Sequence, residues 1–287
     1  MKPAPFEYVR PATVGEALGA LTGDEGAKLI AGGQSLVPLM ALRLARPTVL
    51  VDVKDLELDL VGTDAGQVRI GAATPHRRLE HDPVIAHAAP IVREAAGLIG
   101  YPAIRTRGTI GGSIAHADPV AELPALLVAA QGSVVARSTR GTREISACDL
   151  FAGFLETTLA RDELIEEIRL PSAGARHGSS FCEWAPRAGD FAVVGVALLV
   201  ERAADGPCER IGAAACGIGS VPLDCTEAVE RARGENNPTG SLLRDVAARA
   251  RALVTGDDDR AELLALLMAR ALSRSFARSD RPREAAA

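Results

Sequence analysis

Lys28-Leu29-Ile30-Ala31-Gly32-Gly33-Gln34-Ser35-Leu36 is the stretch that decides the fold. Its first three residues read as a short strand and its glycine pair as a loop. Ser35 then reads as the N-cap of a helix through Leu36, Leu39, Met40 and Leu42, with Pro38 in the first turn, where proline is tolerated. Downstream, Thr48-Val49-Leu50-Val51-Asp52-Val53 is β-branched and reads as a buried strand. Upstream, Thr13-Val14-Gly15-Glu16 has the form of a capping box and predicts a short helix to about Leu21, stopped by Gly23. Strand, glycine loop, helix and strand make an α/β lobe ending near residue 58. A glycine pair beside a hydroxyl at a strand–helix junction suits a pyrophosphate, because backbone N–H groups can approach with no Cβ in the way. A tight turn is the simpler reading of one such pair taken alone, and Gln34 is either a phosphate or flavin contact or an exposed side chain.

A second stretch repeats the chemistry. Thr109-Ile110-Gly111-Gly112-Ser113 is followed by Ile114-Ala115-His116-Ala117-Asp118-Pro119 and by Glu122. Thr109 and Ser113 offer hydroxyls, Gly111 and Gly112 offer bare N–H groups, and Arg105-Thr106-Arg107-Gly108 adds positive charge ahead of them. Asp118 before Pro119 has the pattern of an N-cap with proline at N1, starting a helix to Ala130; the same carboxylate suits an adenosine ribose. Glu122 falls in the first turn of that helix. His116, alone in the loop, reads as a hydrogen-bonded structural histidine rather than an acid or base. Two such loops in one unit imply a dinucleotide held between two lobes. Neither G-x-G-x-x-G nor a P-loop is present.

Elsewhere, Gln67 to Gly71 reads as a strand, Thr74-Pro75 as an N-cap with proline at N1, and Val84 to Ile99 as one helix ended by Gly100. Ser133 to Ala136 and Glu163 to Leu170 read as strands. Residues 172–177 form a linker candidate. Strands over Ser179 to Trp184, Phe191 to Glu201 and Arg210 to Gly217 follow, then helices over Thr226 to Arg233, Ser241 to Val254 and Asp257 to Arg278. Strands first and helices last is an α+β pattern. The charged tail Ser279 to Ala287 is expected to be disordered. Arg187-Ala188-Gly189-Asp190-Phe191 reads as an ordinary hairpin loop, with a place near a cofactor or partner as the alternative. His76, His81 and His87 read as surface residues whose spacing does not converge on a metal.

The chain has 287 residues, 47% hydrophobic and 24% charged, enough for two domains with real cores. A net charge of −5 and only 3% aromatic residues disfavour nucleic-acid binding. No apolar leader and no membrane-length apolar run is seen, so the expected location is cytoplasmic. The five cysteines lack C-x-x-C spacing and read as free thiols, not as an iron–sulfur or zinc site. No nucleophile elbow or Ser-His-Asp arrangement is visible, so no catalytic residue and no metal ligand is assigned.

Taken together, K-L-I-A-G-G-Q-S-L at 28–36, T-I-G-G-S-I-A-H-A-D-P at 109–119 with Glu122, and R-A-G-D-F-A-V-V-G-V-A at 187–197 resemble one family over nearly the whole chain. It is the FAD-binding medium subunit of molybdenum hydroxylases, the xanthine dehydrogenase and aerobic carbon monoxide dehydrogenase group. The resemblance implies an α+β chain: a two-lobed FAD-binding domain of the PCMH type, similar to vanillyl-alcohol oxidase, over residues 1–175, with lobes of about 1–58 and 59–175. A smaller α+β domain, similar to the C-terminal part of carbon monoxide dehydrogenase flavoproteins, would occupy 178–287. It implies FAD bound by Lys28, Ala31, Gly32, Gly33, Gln34, Ser35 and Leu36 on one side and by Thr109, Gly111, Gly112, Ser113, Asp118 and Glu122 on the other. It also implies a small subunit with [2Fe-2S] clusters and a large subunit with a molybdenum–pterin cofactor, in a heterotrimer, single or doubled. Electrons would pass through FAD to an external acceptor. Relatives often carry Asn where Ser113 stands, and some carry a Tyr near the flavin ring where the nearest residue is Phe181. The clustered cysteines of one branch are absent. A standalone flavin oxidase of the same superfamily and a scaffold that has lost FAD are the competing readings.

Overall fold

The computed structural model describes residues 2–204 and 206–280. Of the tail expected to be disordered, 281–287 lies outside the described residues; Ser279 still ends a helix.

The chain opens with β1 (Glu7–Val9), α1 (Val14–Gly23), β2 (Ala27–Ile30), α2 (Leu36–Ala41) and β3 (Val49–Asp52). Their sheet is parallel, in the order β1-β3-β2. Only half of the capping box at Thr13 forms: the Thr13 hydroxyl accepts from Glu16 N–H, but the Glu16 carboxylate accepts from Ala12 N–H instead of the N–H of Thr13. Ala17, Leu18 and Leu21 of α1 close a small core over Val51 and Leu56.

A five-stranded sheet follows, opening with β4 (Val61–Asp64) and β5 (Gln67–Gly71). Helices α3 (His76–His81), α4 (Pro83–Ala88), α5 (Pro90–Leu98), α6 (Pro102–Arg105), α7 (Ile110–His116) and α8 (Glu122–Ala129) follow. Then come β6 (Ser133–Ser138), β7 (Gly141–Ser146), α9 (Ala147–Leu150), the hairpin of β8 (Phe151–Gly153) and β9 (Glu156–Thr157), and β10 (Leu164–Pro171). The sheet runs β4-β5-β10-β6-β7, antiparallel throughout.

Four expectations are corrected here. The single helix over Val84 to Ile99 is two helices, α4 and α5. Pro90 has no N–H to continue the ladder and drives Ala89 to φ −145, ψ 60. Pro75, not Thr74, occupies the N-cap of α3 and makes no side-chain cap bond. The second glycine pair does not lie in a loop: Gly111, Gly112 and Ser113 form the first turns of α7, capped by Thr109. Asp118 does not cap α8, whose N-cap is Ala121. The Asp118 carboxylate instead accepts from Val120 N–H in the preceding turn.

The C-terminal sheet has β11 (His177–Trp184), β12 (Val194–Arg202), β13 (Cys208–Cys216) and β14 (Leu223–Asp224), antiparallel in that order. Helices α10 (Thr226–Val229), α11 (Gly240–Ala252) and α12 (Asp258–Ser279) follow. Phe181, Ala197, Ala214 and Cys216 join the core of the five-stranded sheet and its helices. Val196, Leu198, Val200 and Ala213 pack with Leu264, Met268, Leu272 and Phe276 of α12 on the other face. Burial on both faces explains why β12 reads as a continuous apolar run rather than an alternating one. It also explains α8, buried on every side and apolar around its circumference.

Candidate cofactor site

β2 delivers Ile30 to the edge of the first sheet, and Ala31 to Ser35 cross from there to α2. The N–H groups of Gly32, Gly33, Gln34, Ser35 and Leu36 have no partner among the described residues, and the first N–H turned back into the structure is that of Val37, which donates to Gly33 O. Gly33 stands at φ +70, a left-handed conformation that glycine adopts without strain. Ser35 is the N-cap residue of α2 by position, yet its hydroxyl makes no cap bond. Gln34 folds back, its Nε2 donating to Gly32 O at 3.0 Å. The result is a run of free donors, the arrangement that receives an anion.

The second motif is built differently. Ile110 N–H donates to Thr74 O, Gly111 N–H to Ala72 O, Gly112 N–H to the Thr109 hydroxyl at 3.1 Å, and Ser113 N–H to Thr109 O. The backbone donors expected there are therefore spent within the protein. The motif offers the Thr109 and Ser113 hydroxyl protons and the bare face of Gly112. The charge expected from Arg105 is spent as well: this buried guanidinium donates to Glu80 and to the Ile99 and Gly100 carbonyls.

Both motifs line one cleft of about 560 Å³. Lys28, Ala31, Gly32, Gly33, Gln34, Ser35, Leu36, Thr109, Gly111, Gly112, Ser113, Asp118 and Glu122 are all on its wall. Leu29, Leu39, Leu155, Leu159, Leu164 and Ile165 supply apolar surface between them. Lys28 lies close enough to His116 to lower its pKa, as burial does more strongly; Asp118 pulls it back up. Glu122 is 6% exposed, and burial, with Glu183 and Asp118 nearby, pushes its carboxyl up to about 8, so it carries a proton at neutral pH.

Some residues depart from expectation. The Arg187–Phe191 segment is indeed the β11–β12 hairpin connection, and its Gly189, Asp190 and Phe191 also line the cleft. Phe181 is not near the cleft wall: it is buried against Gly195 in the core. His76 is not on the surface but 4% exposed, and it forms part of the cleft wall. Nothing in its own neighbourhood of sequence marks it, because the loop that covers it is distant. Leu155 was also unforeseen; an exposed leucine at the tip of a short hairpin is the one signal that points to it. Among the described residues, no group of three or more His, Cys, Asp or Glu side chains converges as a metal site. No described helix is long and apolar enough to cross a membrane.

Free backbone donors and two hydroxyls on the wall of one cleft with apolar surface between them are what an α+β protein offers to an anionic nucleotide cofactor. Residues 4–173 match the family described as the FAD binding domain in molybdopterin dehydrogenase, and the chain belongs to that family. It is 38% identical over 298 residues to the 6-hydroxypseudooxynicotine dehydrogenase complex subunit alpha of Paenarthrobacter nicotinovorans, covering 99% of each chain. It is 32% identical to the carbon monoxide dehydrogenase medium chain of Afipia carboxidovorans, covering 97% of this chain and 99% of that one. Among solved structures it superposes on carbon monoxide dehydrogenase of Hydrogenophaga pseudoflava, in a form lacking the Mo-pyranopterin moiety of its cofactor. The TM-score is 0.91 at 35% identity, covering 97% of this chain and 99% of that one. The protein is thus an oxidoreductase subunit of the molybdenum hydroxylase group and carries its FAD-binding domain. The residues present suit FAD: the free N–H run fits a pyrophosphate, and the apolar wall fits an aromatic ring system.

Proposed function

We propose that this chain is the electron-transfer subunit of a molybdenum hydroxylase complex. It would receive electrons from [2Fe-2S] clusters of a small partner subunit and pass them through FAD to an external acceptor, while a large subunit with a molybdenum–pterin cofactor hydroxylates the substrate. The single observation that carries the reading is the run of five N–H groups, Gly32 to Leu36, without a partner among the described residues and lining one cleft with Thr109 and Ser113. FAD, when bound, supplies the redox chemistry.

The chain's own residues bind and orient. The Gly32–Leu36 donors and the Ser35 hydroxyl take the pyrophosphate from one side, and the Thr109 and Ser113 hydroxyls from the other. Ala31, Gly33 and Gln34 shape the first loop, and Gly111 seats α7 against Ala72. Lys28 adds positive charge at the same end. Asp118 keeps one carboxylate oxygen for a ribose hydroxyl. Protonated Glu122 acts as a neutral donor toward the adenosine. Apolar side chains from Leu29, Leu155 and Leu164 exclude water. The two sheets form the two lobes of a PCMH-type domain over 1–175, with the C-terminal unit over 178–287 as a separate α+β domain. A heterotrimer, single or doubled, in the cytoplasm is the assembly this implies. Full-length correspondence to medium subunits disfavours a standalone oxidase, which needs a substrate domain of its own.

The test is the absorbance spectrum of the purified chain, followed by heat release and mass analysis of the ligand. Flavin bands with the mass of FAD support the assignment. A colourless chain that takes up no FAD, alone or with its partner subunits, overturns it.

A further inference from the structure

His76 is the buried polar residue that the site described so far leaves without a purpose. The residue is 4% exposed, both ring nitrogens are buried, and neither Nδ1 nor Nε2 has a hydrogen-bond partner among the described residues. A neutral imidazole always carries one donor and one acceptor, and leaving them buried and unpaired is costly, so native interiors rarely retain such a group without a reason. The burial is imposed by specific backbone bonds. His76 N–H donates to Gly108 O, and Pro75 bridges Thr109, which lays the Gly108–Thr109 segment over the start of α3. A Cβ on Gly108 would lie 3.1 Å from Cε1 and 3.2 Å from Nδ1 of the ring, so glycine is what lets the imidazole sit directly behind the second motif. His76 is one of the residues lining the cleft, as is Thr109. Burial, and Arg105 nearby, push its pKa down to about 4; the Thr109 backbone offsets this only in part and does not reach hydrogen-bond geometry. The ring is therefore uncharged at neutral pH, a donor without a cation's hydration requirement.

We propose that His76 is a further cofactor contact, its imidazole donating a ring N–H to an acceptor oxygen of FAD bound in the cleft. The inference rests on the proposed function, since FAD must occupy the cleft. The acceptor is a phosphate oxygen or a flavin carbonyl, and both present the same lone-pair chemistry to the ring.

The test compares the full-length wild-type chain with His76→Phe, which keeps a ring and deletes both nitrogens, and His76→Asn, which restores a neutral donor. FAD affinity, the 31P spectrum, the visible flavin spectrum and the thermal midpoint of the FAD-free chain are measured for each. The expected result is FAD binding weakened about tenfold or more in His76→Phe, the size of one hydrogen bond lost to a bound ligand, and partly recovered in His76→Asn. The FAD-free midpoint of His76→Phe should be unchanged or raised, because two unpaired buried nitrogens have been removed; a purely structural histidine would lower it. A shifted 31P resonance with an unchanged flavin spectrum places the oxygen on the pyrophosphate; the reverse places it on the ring. Wild-type affinity and unchanged spectra in His76→Phe overturn the assignment, as does a lowered midpoint with unchanged affinity. If His76→Phe does not fold, His76→Leu is read by the same criteria. A wild-type chain that binds no FAD overturns the proposed function itself, whereas normal binding by wild type and His76→Phe alike overturns only the role of His76.

Discussion

Gly32 and Arg107 meet backbone to backbone: a Cβ on Gly32 would lie 2.6 Å from the Arg107 carbonyl carbon and 2.7 Å from Cα of Gly108. The first glycine of the first motif is therefore required by the segment leading into the second, before any ligand is considered. Gly111 is alike, a Cβ there reaching 2.7 Å from Ala72 O. Gly112 differs, since a Cβ on it meets only the Thr109 hydroxyl, at 2.9 Å, and otherwise points into open space.

The two kinds of glycine separate experimentally. Gly32→Ala should force these two segments apart, lowering the thermal midpoint of the FAD-free chain and abolishing FAD uptake. In Gly112→Ala, the helix-propensity gain of about 1 kcal/mol offsets a disturbed Thr109 cap of about the same size. Its FAD-free midpoint should stay near wild type while FAD affinity falls about tenfold or more. Unaltered FAD affinity in Gly112→Ala would show that the cofactor does not approach that face. Thermal unfolding with and without FAD reads both variants.

Glu122 makes stability depend on pH. Its folded carboxyl is pushed from an ordinary 4.5 up to about 8, mainly by burial, so the native state holds the proton more tightly than the unfolded state. The associated stability is fully present below pH 4.5 and is lost as pH rises toward 8. Glu183, pushed up to about 7 by burial, contributes with the same sign. Glu122→Gln keeps the shape and removes the proton. It should flatten the stability profile and be more stable than wild type at pH 8, by on the order of a few kcal/mol. Denaturant midpoints from pH 5 to pH 8 give the comparison; parallel profiles would refute it.

The stretch from Lys28 to Leu36 was readable because each local signal agrees with the fold: a β-branched partner strand, a glycine pair, and a proline allowed only in a first turn. The second motif lines the same cleft as the first, but its local structure differs from the loop its sequence suggests. Ile110 and Ile114, four apart and both buried, turn Gly111 and Gly112 into a helical turn against the usual reluctance of glycine. Periodicity also carried the predicted helix across Pro90, where apolar spacing continues although the backbone cannot. His76 was beyond reach of any local rule, because its burial comes from a segment some thirty residues later in the chain folding back over α3. The distinction between free donors at Gly32–Leu36 and spent donors at Ile110–Ser113 likewise depends on tertiary bonds to Ala72 and Thr74.

The thiols give a simple check on the core. Cys182, Cys208, Cys216 and Cys225 are buried, and only Cys148 is exposed. Burial pushes Cys208 up to about 11 and Cys225 up to about 12, and raises Cys216 as well. Their thiolates are thus scarce and shielded at neutral pH. In the native chain a thiol reagent should modify Cys148 alone, and all five cysteines should react after unfolding. Rapid native labelling of Cys216, which joins the core shared by the C-terminal sheet and α8, would contradict the packing.

Glu94 ties the C-terminal helix to α5. It accepts from Arg274 at 2.9 Å, from Arg278 at 2.6 Å and 3.2 Å, and from Phe181 N–H at 3.3 Å. Three elements from two parts of the chain therefore converge on one carboxylate. Arg274 and Arg278 are 38% and 43% exposed, so solvent screens much of the ion-pair energy. The Phe181 N–H lies deeper and would lose its acceptor. Glu94→Ala should cost about 1–2 kcal/mol, less than a fully buried pair, through two unneutralised guanidiniums and one stranded N–H. Glu94→Gln should recover part of that loss, because an amide oxygen can still accept from Phe181. The alanine variant should also be cleaved faster by a protease in residues 172–176, which connect β10 to β11. Salt should narrow the gap between wild type and Glu94→Ala, since screening weakens only the native ion pairs. A gap that stays constant up to 1 M salt would mean that the Phe181 hydrogen bond, not the arginine pair, holds α5 to the C-terminal elements.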